Sequence, residues 1–345
     1  MSVLFFIGNG FDVALGLKTQ TKDFLTHYVS RKDSKTTPAV VKLMCDIESD
    51  MRGLKTWANL EAKLGEYTDG YDDTNVQDCI DAYQDIQKCL NDYIKGEDSN
   101  AKQAVEEIKS STVTAIFDEI LEFFTDFISK VAKGHNTKIK NCLQANRRGH
   151  VNPKNIYYNF LNFNYTSALE LCVGNIKSPV SSDSFNWTSS EVKSVHGKID
   201  NYPIIGVDNV SQIKNAAFRE KHDILSLLVK PFILKELQGD EVATATQLIN
   251  KSCVICIFGM SLGSTDKTWW AYIGNWLIKY ANRILVIFSY TREFQSVLSS
   301  ARLSKEKSIR DNFLKLANME DASQELRDRI IVKVHGEMFT SKLIQ

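Results

Sequence analysis

The sequence predicts an α/β fold: a mostly parallel sheet with helices on both faces and a large α-helical insertion. Three observations carry this. Apolar runs of strand length stand at residues 3–7, 254–258 and 284–288, with further strand signals at 155–164, 192–195, 203–207 and 330–334. Unbroken apolar runs indicate strands buried on both faces. Helical segments lie between them, as the crossovers of a parallel sheet require. Residues 31–149 carry helical periodicity and no convincing strand. The sheet is therefore assigned to residues 1–30 plus 150–345, and residues 31–149 to the insertion.

In chain order, the run at 3–7 ends in Gly8-Asn9-Gly10-Phe11-Asp12 and a turn at Gly16. Residues 19–32 read as a helix with Phe24, Leu25, Tyr28 and Val29 on one side. In the insertion, Trp57, Leu60, Glu61 and Leu64 have helical spacing behind Thr56, an N-cap residue. Residues 66–98 are acidic and polar. Residues 113–131 form an amphipathic helix through Ile116, Ile120, Phe123, Phe124, Phe127 and Val131. After Pro153, an aromatic-rich strand runs into Asn162-Phe163-Asn164-Tyr165-Thr166. Ser167 and Glu170 have capping-box spacing for the next helix. Residues 192–195 lead into His196-Gly197, and 203–207 read as a short strand. Residues 223–237 are helical, with Pro231 as a kink. The run at 254–258 opens a loop from Gly259 to Asp266, ahead of a helix at 267–280 carrying Trp269, Trp270 and Trp276. Strands at 284–288 and 330–334 close the chain.

Composition removes several classes. The chain has 345 residues, enough for about two domains or one elaborated α/β unit. Such a length buries a core without metal or disulfide staples. Its 42 basic and 42 acidic side chains cancel, so a generally basic nucleic-acid binder is disfavoured and nucleic acid is not an expected partner. The N-terminus has no basic segment, and its apolar stretch ends at Gly8, too short for a signal peptide. No apolar run approaches the ~20 residues that span a bilayer. Seven cysteines without framework spacing suggest reduced thiols. The expectation is a cytoplasmic protein with no membrane partner.

Ligands bind open α/β sheets at the C-terminal ends of the strands, and here almost every strand ends in a polar or glycine-rich motif. Gly8-Asn9-Gly10 suits close approach to a pyrophosphate but equally a tight turn. Val13 stands where the dinucleotide fingerprint needs a third glycine, which disfavours a classical dehydrogenase. Asn164 can orient a ribose hydroxyl or a water, or simply turn the chain into a helix. His196 can be a general base or a structural histidine. Gly259, Ser261 and Gly263 match a nucleophile elbow in spacing, yet the helix begins near Asp266, too late for one; a ligand-binding loop is preferred. Cys253 and Cys256 have metal-like spacing inside an apolar strand, where buried thiols are preferred. Trp269 and Trp270 fit core packing better than base stacking.

Taken in order, these motifs resemble the AbiH family of bacterial abortive-infection proteins. The resemblance rests on Ile7-Gly8-Asn9-Gly10-Phe11-Asp12, Gly16-Leu17, Phe24, Trp57 with Glu61, Phe163-Asn164-Tyr165-Thr166, His196-Gly197, and Phe258-Gly259 with Ser261, Leu262 and Asp266. It implies a protein that limits phage spread. The same order looks like a divergent sirtuin-type NAD-binding core, which implies a Rossmann-like, sirtuin-related sheet. Gly8 and Gly10 match its first loop, Asn164 and His196 its catalytic pair, and Gly259 and Ser261 its last loop. Thr166 departs from the pattern, which has an Asp there, and the zinc-binding cysteine module is absent, against protein deacetylation. What the resemblance implies is NAD as substrate, hydrolysed to nicotinamide and ADP-ribose, with no metal. His196 and Asn164 would be catalytic; Gly8, Asn9, Gly10, Phe11, Asp12, Tyr165, Gly259, Ser261 and Asp266 would bind the nucleotide. Because NAD loss is toxic, a phage-derived trigger or a homo-oligomeric assembly switch would restrain the activity. Two alternatives stay open: a non-catalytic sensor of NAD or ADP-ribose, and a metal-dependent nuclease in which Asp12, Glu61 and Asp266 converge.

Overall fold

The computed structural model describes residues 1–345 except 34–35, 73, 111–114, 147–154, 176–179, 182–185, 198–202, 238–239, 291–298, 336–338, 340–341 and 345. Among the described residues, seven strands form one sheet: β1 Ser2–Ile7, β2 Asn155–Asn162, β3 Val180–Ser181, β4 Asn186–Ser194, β5 Val254–Phe258, β6 Ile284–Tyr290 and β7 Ile330–His335. Their spatial order is β3-β4-β2-β1-β5-β6-β7. The two-residue β3 is antiparallel to β4, and the other six strands are parallel. Counting only those six, the order is the doubly wound 3-2-1-4-5-6, which reverses direction between β1 and β5.

The unbroken apolar runs are explained by burial on both faces. Val3, Phe5 and Ile7 of β1 and Val254, Cys256 and Phe258 of β5 enter one core; Leu4, Phe6, Ile255 and Ile257 enter the other. The first core is closed by the helices Ala115–Thr125, Lys133–Ala145 and Ala168–Asn175. It is dense in rings: Phe5 meets Phe124 edge-on at 4.9 Å and Phe160 stacked at 5.5 Å. The second core is closed by Glu241–Lys251, Lys267–Lys279 and Ser299–Leu316.

A third core lies away from the sheet, among the helices Thr21–Ser30, Pro38–Asp50, Trp57–Tyr67 and His222–Leu228. The acidic segment from residue 76 on belongs to the 35-residue helix Val76–Ser110, about 50 Å long. Its buried stripe begins in the helical core at Cys79, Ala82, Tyr83, Ile86 and Leu90 and ends in the sheet core at Ala101 and Val105. One rigid element thus ties the two together. Among the described residues, no helix is long and apolar enough to cross a membrane.

Three expectations need correction. Residues 203–207 are not a sheet strand; Val207 makes an isolated bridge with Val229. The apolar side chains Ile205 and Val207 serve the helical core instead. Pro231 does more than kink its helix, which breaks into His222–Leu228 and Lys230–Glu236 with the proline in the first turn of the second, where its missing N–H is harmless. Of the helix expected over 113–131, residues 113–114 lie outside the described residues and the helix Ala115–Thr125 stops short of 131, its apolar stripe continuing through turns to Phe127 and Val131.

Candidate functional site

Parallel pairing sets the site. Ile7 is level with Asn162 and Phe258, and Asn162 with Ser194. Counting two residues on from each, Asn9, Asn164, His196 and Met260 form one row beyond the C-terminal ends of β1, β2, β4 and β5. Backbone bonds extend the ladder one step and pin these loops: Gly8 N donates to Phe258 O at 2.9 Å, Phe163 N to Ile7 O at 2.8 Å, and Val195 N to Asn162 O at 2.8 Å.

The row borders a cavity of about 920 Å³. Of the residues expected at the site, Gly8, Asn9, Gly10, Asp12, Asn164, Tyr165, His196, Gly259, Ser261 and Asp266 line it. Phe11 does not; it is fully buried, packed on Phe124, Phe258 and Phe339. The opposite wall is helical, with Trp57 and Glu61 one turn apart on the Trp57–Tyr67 helix and so on the same face. Thr56 caps that helix through a capping box with Asn59.

Packing alone explains the glycines of the first loop. A Cβ on Gly8 would lie 2.4 Å from Met260 Cγ, and one on Gly10 would lie 2.7 Å from Gly259 Cα. Gly259 itself has φ +68° and holds its carbonyl 2.8 Å from Gly10 N. The two loops touch backbone to backbone, which only glycine permits.

Asp12 organises one side of the cavity. Its Oδ1 accepts from Asn164 Nδ2 at 2.9 Å and its Oδ2 from Thr166 Oγ1 at 2.7 Å. Burial raises its carboxyl to about 7, against the opposing pull of Thr166. Asn164 is placed by a side-chain turn, its backbone N–H donating to Asn162 Oδ1 at 3.0 Å. The Asn164 Oδ1 is buried and has no hydrogen-bond partner among the described residues. Asn9 Nδ2 and Trp57 Nε1 both donate to Thr19 O, at 2.8 and 3.0 Å.

The other side is a buried charge group. His196 Nε2 lies 3.3 Å from Asp266 Oδ1. That oxygen also accepts from Lys230 Nζ at 2.9 Å, and Lys230 reaches both Glu61 oxygens at 3.0 and 3.1 Å. Burial opposes the charge on Asp266, but Lys230 and His196 outweigh it and hold the carboxyl well below the usual range. Burial wins at Glu61 and raises its carboxyl, with Lys230 pulling the other way. At Lys230 burial is outweighed by Asp266 and Glu61, which push the ammonium above its ordinary value. With Nε2 turned to a carboxylate, the neutral imidazole carries its proton there and leaves Nδ1 as an acceptor.

Sequence reasoning missed Lys230. Its signal is a lone lysine inside the apolar run Leu227-Leu228-Val229-Lys230-Pro231-Phe232-Ile233. The residues of the nuclease alternative, Asp12, Glu61 and Asp266, all line the cavity, but Lys230 stands between Glu61 and Asp266, and Asp12 is bound to Asn164 and Thr166. Among the described residues, no three His, Cys, Asp or Glu side chains group to hold a metal ion. Ser261 lies on an irregular loop, with a 3-10 turn at Ser264–Asp266 before the helix, so it is not on a strand-to-helix elbow. Cys253 and Cys256 are buried free thiols. Trp269 and Trp270 are core residues, Trp270 Nε1 donating to Gly263 O at 2.9 Å.

A family model for bacteriophage abortive infection, AbiH, matches residues 4–290. The chain belongs to the AbiH family. The match contains the strand-end motifs of β1, β2, β4 and β5, together with Glu61, Lys230 and Asp266. It therefore takes in both sides of the cavity. No curated protein matches the chain.

Proposed function

We propose that this AbiH protein binds NAD in the cavity and hydrolyses it to nicotinamide and ADP-ribose as its act in abortive infection. The observation that carries the reading is that Asn164 and His196 line one cavity with the loops after β1 and β5, which flank the switch point of the parallel sheet, where dinucleotides lie in Rossmann-like folds. On this reading the core is Rossmann-like and sirtuin-related. The cavity volume lies within the roughly 300–1,000 Å³ of small-molecule sites. The unpartnered Asn164 Oδ1 is an acceptor that a ribose hydroxyl satisfies.

Cleavage needs little from the protein. Water adds to the ribose carbon as its bond to nicotinamide breaks, and the electron pair leaves with the neutral nicotinamide. His196 accepts the proton released by water, and Asp266 stabilises the imidazolium so formed. Asn164 orients the water and the ribose. Gly8, Gly10 and Ser261 border the pyrophosphate and ribose, while Asn9, Asp12 and Tyr165 border the nicotinamide end. The three hydrophobic layers around these loops supply the rigidity that positioning demands.

The test is NAD turnover by the double variant His196→Ala/Asn164→Ala beside the wild type. The reading predicts loss of turnover with the fold intact by circular dichroism. Full activity in the double variant removes its catalytic basis. Saturable NAD binding without turnover in the wild type instead assigns a sensor.

A further inference from the structure

Four ionisable side chains from four separate segments meet where the helical core touches the sheet. Glu61 and Lys230 are each 3% exposed, His196 7% and Asp266 8%. Lys230 is fixed at both ends. Its backbone N donates to Val207 O at 2.9 Å, and its ammonium bridges Glu61 and Asp266. Asp266 Oδ1 is shared, accepting from Lys230 on one side and facing His196 Nε2 on the other.

The charge count has a consequence. With His196 neutral, one ammonium faces two carboxylates and the buried group carries one net negative charge. Once His196 takes a proton, the group is neutral. Buried charge that is not compensated is costly, so the charges of Glu61 and Lys230 bear on the proton of His196 with opposite sign. Two further titratable groups lie near. Asp208 is bound to Thr268 Oγ1 at 3.0 Å, and the Tyr165 phenol donates to Ile204 O at 3.1 Å.

We infer that Glu61 and Lys230 are positioning residues for His196: their pairing with Asp266 sets the charge the imidazole meets and holds Asp266 Oδ1 against its Nε2. In the proposed reaction both act through Asp266 and His196 and take no proton from the substrate or water. The inference rests on the reading of His196 as the proton acceptor, and it brings a residue of the helical wall into the control of a strand-end base.

The experiment is an NMR pH titration of His196, its imidazole signal assigned by its loss in His196→Asn. It is run on the full chain for the wild type, Glu61→Gln, Lys230→Met and Glu61→Gln/Lys230→Met. Glu61→Gln removes one negative charge and lowers the titration midpoint by about one pH unit, a tenfold loss of proton affinity. Lys230→Met raises it by a similar amount. The double variant restores the wild-type charge count and returns the midpoint towards the wild type. Glu61→Gln keeps the Lys230–Asp266 pair and is the variant least disturbing to the fold, so an unchanged midpoint there overturns the inference. NAD turnover is followed in parallel. A wild type that titrates as described but releases no nicotinamide overturns the NAD reading and leaves the charge control of His196 standing.

Discussion

Asp12 should make the protein lose stability as pH rises, and replacing it with asparagine should remove that loss. Its carboxyl is about 1% exposed, and burial raises it from 3.8 to about 7. The folded chain therefore keeps a proton that the unfolded chain has already released. The stabilisation is fully present below 3.8 and is lost as pH rises through the window from 3.8 to about 7. The whole span corresponds to about 4 kcal/mol, of which about 3 kcal/mol falls between pH 5 and 8. Asparagine fits the same contacts: its oxygen accepts from Asn164 Nδ2, and its NH₂ donates to Thr166 Oγ1, a hydroxyl that can also accept. Urea unfolding of wild type and Asp12→Asn at pH 5, 6, 7 and 8 measures the effect. The stability difference, variant minus wild type, should rise by about 3 kcal/mol from pH 5 to 8. Parallel pH profiles for the two proteins would refute a carboxyl at Asp12 raised by burial.

Three further substitutions probe the scaffold. Gly259→Ala forces a side chain into φ +68° with its Cβ 2.8 Å from Phe11 N, so unfolding should show a loss of at least about 1–2 kcal/mol. Gly96→Ala is its opposite: it lies in the Val76–Ser110 helix with nothing within 4 Å of an added Cβ, and should gain about 0.5–1 kcal/mol. Thr56→Ala removes the N-cap of the helix that carries Trp57 and Glu61 and should cost about 1 kcal/mol in the same assay.

Much of the sheet was legible because its strands are buried on both faces. Runs such as Val254–Phe258 have no polar alternative in any register. The row of Asn9, Asn164 and His196 was legible for a related reason: in a parallel sheet, motifs that directly follow strands share one edge. The run at 203–207 misled because burial against helices needs the same apolar residues as burial in a sheet; only the partner differs, Val229 in place of a strand. Phe11 misled because it sits inside a loop motif while its ring faces the core. Lys230 was missed because its partners come from 169 and 36 residues away, a separation that no local pattern encodes. By sequence Gly8 and Gly10 suit a pyrophosphate loop and a tight turn equally, and contact with the Gly259 loop already requires them.

The proposed activity of this cavity is consumption of NAD. Free nicotinamide released from NAD by the purified protein, beside His196→Ala and with or without extract from phage-infected cells, tests it most directly. The account predicts release by the wild type, in the presence of extract where the resting protein is held off, and none by His196→Ala under either condition. Equal release by the two proteins, or none from the wild type with extract present, would contradict it.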